Sequence, residues 1–126
     1  MMQFVYDTAV LIAAERGDRR IWVLHERSLA RDAAPVVPAG VLTEAWRPGG
    51  YALGRFLAGC EIEALTEVRA RRAGVLLGRV GRDVSAVDAT VAEAALRLGA
   101  AVLTSDYSDF SALSAAAGRP ISIVSV

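Results

Sequence analysis

The sequence contains no lysine, because all 14 of its basic residues are arginine. A P-loop needs a lysine on the β- and γ-phosphates, and Schiff-base catalysis needs a lysine amine, so both classes are excluded. Cysteine and histidine occur once each, as Cys60 and His25, which leaves no intrachain disulfide and no cluster of soft metal ligands. This cysteine usage is typical of a reducing compartment, and we expect the protein in the cytoplasm.

Long uncharged stretches are also missing. The longest covers residues 33–43, 11 residues that include two prolines, whereas a membrane span needs ~18 apolar residues. The first residues lack the basic start and apolar run of a signal peptide. The 14 arginines are balanced by 14 acidic residues, which argues against a broad basic surface for nucleic acid but leaves room for a local one.

What the sequence does have is an apolar content of 54% in 126 residues, enough for the core of one domain over residues 1–126. Short apolar runs alternate with helical patterns about five times, which predicts an α/β fold with a mostly parallel sheet flanked by helices. The predicted strands are 3–7, 35–38, 60–65, 100–104 and 121–126, with 60–65 as an exposed, edge-like strand. The predicted helices are 8–16, 21–34, one that starts at or beside Pro38 and continues over 41–46, 51–58, 66–80, 108–117 and one that starts at 83–85 and ends before Gly99.

Four acidic residues fall where such a sheet binds ligands, outside the carboxyl ends of its strands. Asp7 and Asp106 follow the first and fourth predicted strands, and Asp88 lies in the first turn of the helix that leads into the fourth strand. Glu44 lies in the helix after the second strand. Together they predict a cluster of carboxylates.

Each acid also has a purely structural explanation. Asp7 and Asp106 can cap the helices that follow them, and the spacing from Ser85 to Asp88 is that of a capping box. Glu44 can be a solvated residue on the polar side of its helix. Helix capping does not explain why all these acids fall at one end of the sheet.

Crowded carboxylates repel one another unless a cation neutralises them. Oxygen ligands without a Cys or His cluster favour Mg²⁺ or Mn²⁺, and such an ion is suited to hydrolysis of a phosphodiester bond. We interpret His25 as structural or solvent-facing, since it lies in an amphipathic helix far from the acids in sequence.

The ordered set of segments around these acids resembles the PIN-domain nucleases, and within them the VapC-type toxins. The segments are Tyr-Asp-Thr-Ala-Val-Leu at 6–11, Leu-Thr-Glu-Ala-Trp at 42–46, Val-Asp-Ala-Thr-Val-Ala at 87–92 and Leu-Thr-Ser-Asp-Tyr-Ser-Asp-Phe at 103–110. The resemblance covers nearly the whole chain. It implies a parallel sheet of order 3-2-1-4-5 and cleavage of RNA with Mg²⁺ or Mn²⁺.

The resemblance also implies roles for individual residues. Asp7, Asp88 and Asp106 would bind the metal directly or through water, and Glu44 would ligate the metal or position the attacking water. The further matched positions are supporting ones: Thr8, Thr104 and Asp109.

Proteins of this kind are usually homodimers inhibited by a cognate antitoxin protein. The apolar helices around Ile12, Trp22, Leu24, Trp46 and Phe56 are either such docking surfaces or ordinary core. Arg16, Arg19, Arg20, Arg47 and Arg55 are candidates for phosphate contacts or solvated surface. The arginines at 69, 71, 72, 79 and 82 are expected to form a charged solvent face with Glu67 and Asp83, near them in sequence.

Three other interpretations remain at this stage. A catalytically degenerate PIN-like domain would act through protein binding alone. A response-regulator receiver domain would need a lysine, which the chain lacks, and so would a haloacid-dehalogenase-like phosphatase. The phosphatase would in addition need a second aspartate at position 9, which is alanine.

Overall fold

The computed structural model describes residues 2–126, so Met1 lies outside the described residues. It contains a parallel sheet of five strands in the order β3-β2-β1-β4-β5, which confirms the predicted fold class and strand order. The strands are β1 (Phe4–Tyr6), β2 (Val36–Pro38), β3 (Glu61–Glu63), β4 (Ala101–Thr104) and β5 (Ile123–Ser125). The helices are α1 (Thr8–Glu15), α2 (Arg19–Ala30), α3 (Ala39–Ala45), α4 (Tyr51–Ala58), α5 (Glu67–Arg79), α6 (Ala86–Leu98) and α7 (Tyr107–Ala117).

The two central strands are apolar on both faces because helices cover them from both sides. Val5 and Tyr6 of β1 and Val102 and Leu103 of β4 are fully buried. Helix α6 packs against β1, β2 and β4 through buried residues that are mostly alanine. Small side chains allow this close approach, which brings the start of α6 to the carboxyl ends of the central strands.

Helix and strand ends differ from the predicted ones where side chains take over backbone hydrogen bonds. Helix α2 begins at Arg19, two residues earlier than predicted, because the Asp18 carboxylate caps it by accepting from the Arg20 amide at 3.0 Å. It ends at Ala30 rather than 34, before Asp32 adopts a left-handed backbone with φ of 58°. The last strand is short because the Ile121 amide donates to Ser114 Oγ instead of a neighbouring strand.

Helices α2 and α4 pack with β1 through an aromatic cluster that contains the only histidine of the sequence. His25 is buried, its Nδ1 lies 3.0 Å from the Tyr6 hydroxyl, and its ring stacks on Phe56 at 3.9 Å between centroids. His25 is therefore structural, one of the two roles predicted for it. Phe56 is fully buried core and is not a docking surface, whereas Ile12 and Trp46 are exposed.

The edge strand behaves as predicted, with Glu61 and Ile62 of β3 exposed at the margin of the sheet. Between residues 2 and 126, no helix is both long enough and apolar enough to cross a bilayer.

Candidate metal centre at the carboxyl end of the sheet

Asp7 is a nearly buried carboxylate directly after β1, only 5% exposed. Its Oδ1 accepts from the Thr8 amide at 2.7 Å, which caps α1. Its Oδ2 accepts from the Thr104 hydroxyl at 2.7 Å. Because both oxygens have a donor, the carboxyl group is fixed in one orientation at the end of the central strands.

Asp106 follows β4 and is fixed by the same threonine. The Asp106 amide donates to Thr104 Oγ1 at 2.9 Å. The Asp106 carboxylate accepts through Oδ1 from the Asp109 amide at 3.2 Å, which caps α7. The capping roles considered for Asp7 and Asp106 are therefore real. They are compatible with a metal site, because capping leaves each carboxylate with unused lone pairs.

Asp88 completes a cluster with Asp106, which caps α7, and Asp109 in the first turn of α7. Ser85 caps α6 by accepting from the Asp88 amide at 3.0 Å, which fixes Asp88 in the first turn of the helix. Carboxylate oxygens of Asp88, Asp106 and Asp109 all lie within 4.8 Å of one another. Asp109, expected only as a supporting residue, thus stands inside this cluster.

Glu44 lies beside the cluster rather than in it. Its Oε1 accepts from the Thr8 hydroxyl at 2.6 Å, across 36 residues of sequence. Its charge contributes to a raised pKa at Asp7. The structure therefore gathers the predicted acids at one end of the sheet, with Glu44 joined to Asp7 through Thr8.

The cluster is electrostatically unfavourable on its own. Burial raises the pKa of Asp88 to about 7, and the charges of the neighbouring acids, Asp7 foremost, act in the same direction. Burial also raises the pKa of Asp7, although two threonine hydrogen bonds favour its charged form. The pKa of Asp109 is raised by a hydrogen bond with the Asp106 carboxyl in spite of a nearby arginine.

That arginine is Arg82, and its carboxylate partner differs from the one near it in sequence. Its guanidinium forms an ion pair with Asp109 at 2.6 Å and donates to Ser108 Oγ at 3.0 Å, so that its partner is Asp109 and not the neighbouring Asp83, while the side chain stays 48% exposed. The periodicity of a helix indicates contacts only between residues that are three or four positions apart in sequence. A contact that spans 26 residues leaves no such signal.

The donor set fits a hard divalent cation. The clustered groups supply only carboxylate oxygens, and the cation would relieve the repulsion that raises the pKa of Asp7 and Asp88. Few protein ligands and no nitrogen or sulfur favour Mg²⁺ or Mn²⁺ that keeps several waters. Asp88 and Asp106 would hold such an ion, with Asp7 and Asp109 as the adjacent donors.

Comparison with protein-family models finds no match, and neither does comparison with curated protein sequences. Solved structures do match. The structure of VapBC2 from Rickettsia felis bound to a promoter DNA fragment has a TM-score of 0.77 at 17% identity, covering 99% of this chain and 99% of that chain. A toxin–antitoxin complex from Klebsiella pneumoniae has a TM-score of 0.63 at 19% identity, covering 86% and 90% of the two chains.

A third structure is that of VapC20 from Mycobacterium tuberculosis, described as a toxin that cleaves the sarcin-ricin loop. It is 25% identical, with a TM-score of 0.62, and the match covers 87% of this chain and 94% of that chain. These similarities place the chain in the fold found in VapBC toxin–antitoxin structures.

Proposed function

We propose that this chain is a metal-dependent endoribonuclease and the toxin of a type II toxin–antitoxin pair, folded as one domain over residues 1–126. The observation that carries the proposal is the approach of Asp88, Asp106 and Asp109 within 4.8 Å at the carboxyl end of the sheet. The similarity to VapC20, a toxin that cleaves RNA of the sarcin-ricin loop, supports the same activity.

In this proposal the acidic residues hold the metal ion and position the water that attacks the phosphodiester bond. Mg²⁺ or Mn²⁺, when bound, supplies a more acidic water and offsets charge on the phosphodiester group. Thr8 and Thr104 hold the Asp7 carboxylate in place, so that Asp7 would present negative charge to the ion together with Asp88 and Asp106. Glu44 is exposed and hydrogen-bonded through one oxygen, which leaves its other oxygen to orient a water or accept its proton.

No side-chain nucleophile is needed in this mechanism. The single histidine is buried against Tyr6, and so it cannot activate a hydroxyl at the acid cluster. Hydrolysis by an activated water is therefore the chemistry that the acidic residues support best.

The partner assignments belong to the same proposal. VapBC2 and the Klebsiella pneumoniae structure are toxin–antitoxin complexes, which supports an antitoxin protein as the partner of this chain. Ile12 and Trp46, at 38% and 45% exposure, offer apolar surface for the antitoxin or for a second copy in a homodimer. The lone Cys60 thiol fits a reducing compartment such as the cytoplasm.

The test is RNA cleavage by the purified full chain after removal of metal with EDTA. Addition of Mn²⁺ or Mg²⁺ should start cleavage, and Asp7→Asn should abolish it while the variant keeps its fold. Asp32→Asn is the matched control, because Asp32 is exposed and asparagine tolerates its left-handed backbone.

Wild-type and Asp32→Asn proteins should cleave at equal rates. A folded wild-type protein that cleaves no RNA with either metal, yet binds a partner protein, would be the degenerate domain instead. Cleavage by Asp7→Asn at the wild-type rate would overturn the site.

A further inference from the structure

A second candidate site lies away from the acid cluster, in a cleft between α5, α6 and the end of α7. Its volume is about 260 Å³, and four arginines line it together with a single carboxylate, that of Glu93. The arginines are Arg72, Arg79, Arg97 and Arg119. A partly enclosed cleft with this excess of guanidinium groups attracts anions.

Only one of these arginines has its charge neutralised. Arg97 is bonded to both Glu63 and Glu93, whereas the ion pairs found in residues 2–126 include none for Arg72, Arg79 or Arg119. The guanidinium of Arg119 donates to the Leu96 carbonyl at 3.4 Å, which directs it toward the cleft.

Helix α5 separates its arginines by position. Arg69 and Arg71 are paired with Glu63 and Glu67. Arg72 and Arg79 face the cleft without a carboxylate partner. The arginines of α5 that line the cleft are thus the ones without an ion pair in the described residues.

Arg79 joins the cleft to a second groove, which leads toward the acid cluster. That residue also lines a groove between α5 and α7, whose floor includes three alanines of α7 and which reaches Arg82. Arg82 in turn is paired with Asp109 of the cluster. We call this path from Arg82 through Arg79 to Arg119 the arginine track. It extends for roughly 12 Å along α7, at about 1.5 Å per residue.

We propose that the arginine track binds the phosphate backbone of the RNA strand on one side of the cleaved bond; this rests on the proposed nuclease function. The track begins at the acids that would hold the metal, which is where a continuous polyanion must leave the site. Guanidinium groups bind phosphate in a bidentate manner, and the alanine floor lets a backbone approach closely. RNA fits this arrangement better than a free anion does, because the basic groups follow one another along the cleft and groove beside α7.

The experiment measures binding of a single-stranded RNA oligonucleotide in EDTA, where no cleavage occurs, over a series of KCl concentrations. The variant is Arg79→Gln/Arg119→Gln, and the control is Arg27→Gln/Arg31→Gln. The control removes the same charge from exposed positions on α2 and just after it. Circular dichroism and thermal unfolding check that both variants fold.

We expect the track variant to bind about tenfold more weakly at low salt. The slope of log K against log salt should fall by about 1.4, since each lost phosphate contact to a single strand contributes about 0.7. The control should stay close to wild type in both quantities. Equal losses of RNA affinity in the two variants would show that only net charge matters, and would overturn the proposal that the arginine track binds RNA.

Two further arms separate the possible failures. If poly-glutamate of equal charge binds wild type as tightly as RNA and depends equally on Arg79 and Arg119, the track serves an acidic protein segment and the RNA assignment is wrong. If wild type cleaves RNA with Mn²⁺ but the track variant binds like the control, the track fails and the nuclease stands. If the track variant loses binding as expected and no protein cleaves, the nuclease proposal fails and RNA binding by the track stands.

Discussion

Thr104 donates a hydrogen bond from Oγ1 to Oδ2 of Asp7 at 2.7 Å, joining residues that are 97 positions apart. Thr104 is fully buried at the end of β4. The same hydroxyl accepts from the Asp106 amide at 2.9 Å. One buried hydroxyl thus fixes the acids that follow both central strands.

Replacement of Thr104 by valine should lower stability and metal affinity together. Valine has nearly the same shape but leaves Oδ2 of Asp7 without its donor, which costs about 1–3 kcal/mol for a buried polar group. Urea unfolding in EDTA measures this loss, and calorimetric titration with Mn²⁺ measures the affinity. Thr104→Ser is the control, because it keeps the hydroxyl and loses only a methyl group. Equal losses in the serine and valine variants would show that packing of the methyl, and not the hydrogen bond, is what matters.

The raised pKa of Asp88 predicts an unusual dependence of stability on pH. In the unfolded chain this carboxyl loses its proton near pH 4, whereas in the folded protein it keeps the proton up to about 7. Between these values the folded state binds more protons than the unfolded state. The contribution of Asp88 to stability is therefore fully present below pH 4 and is lost as the pH rises to 7.

Asp88→Asn removes the group that causes this trend. In EDTA at pH 7 we expect the variant to be more stable than wild type, by on the order of 1 kcal/mol or about 3 °C in Tm after allowance for screening. Mn²⁺ should raise the Tm of wild type much more than that of Asp88→Asn. Asp83→Asn, an exposed acid just before α6, should behave like wild type in both assays. A wild-type Tm that rises from pH 4 to 7 in parallel with that of Asp88→Asn would contradict the assignment.

The parts of the fold that depend on local pattern could be predicted from the sequence. Alternating strands and helices follow from residue type and spacing, whereas capping by Asp7 and Asp106 and a structural role for His25 were each one of two roles that the sequence allowed. The ends of α2 could not be predicted from hydrophobic periodicity. The helix begins after the Asp18 cap and ends before Asp32, which has a left-handed backbone.

Contacts between distant residues could not be predicted by the same means. The sequence placed four acids at one end of the sheet, but it could not show that Asp109 stands with Asp88 and Asp106. Nor could it show that Arg82 meets Asp109. Such contacts depend on the side-by-side packing of α5, α6 and α7, for which a single sequence gives no pattern.

Arg97 is a further residue that sequence analysis did not single out, and its replacement should be among the most damaging substitutions outside the acid cluster. Its guanidinium bonds the nearly buried Glu93 of α6 at 3.0 Å and also bonds Glu63 of β3. Arg97→Met keeps much of the side-chain volume but leaves the Glu93 charge without its partner. Breaking a buried pair in this way costs roughly 3–5 kcal/mol, measured by urea unfolding.

The control for Arg97 is Arg71→Met, because Arg71 is paired with Glu67 at 2.9 Å and both side chains are 78% exposed. Such a surface pair contributes at most about 0.5 kcal/mol. In the Arg97→Met background, Glu93→Gln removes the stranded charge and should restore part of the lost stability. If the double variant is no more stable than Arg97→Met, the cost comes from lost packing of the arginine stem, and the ion pairs with Glu93 and Glu63 contribute little.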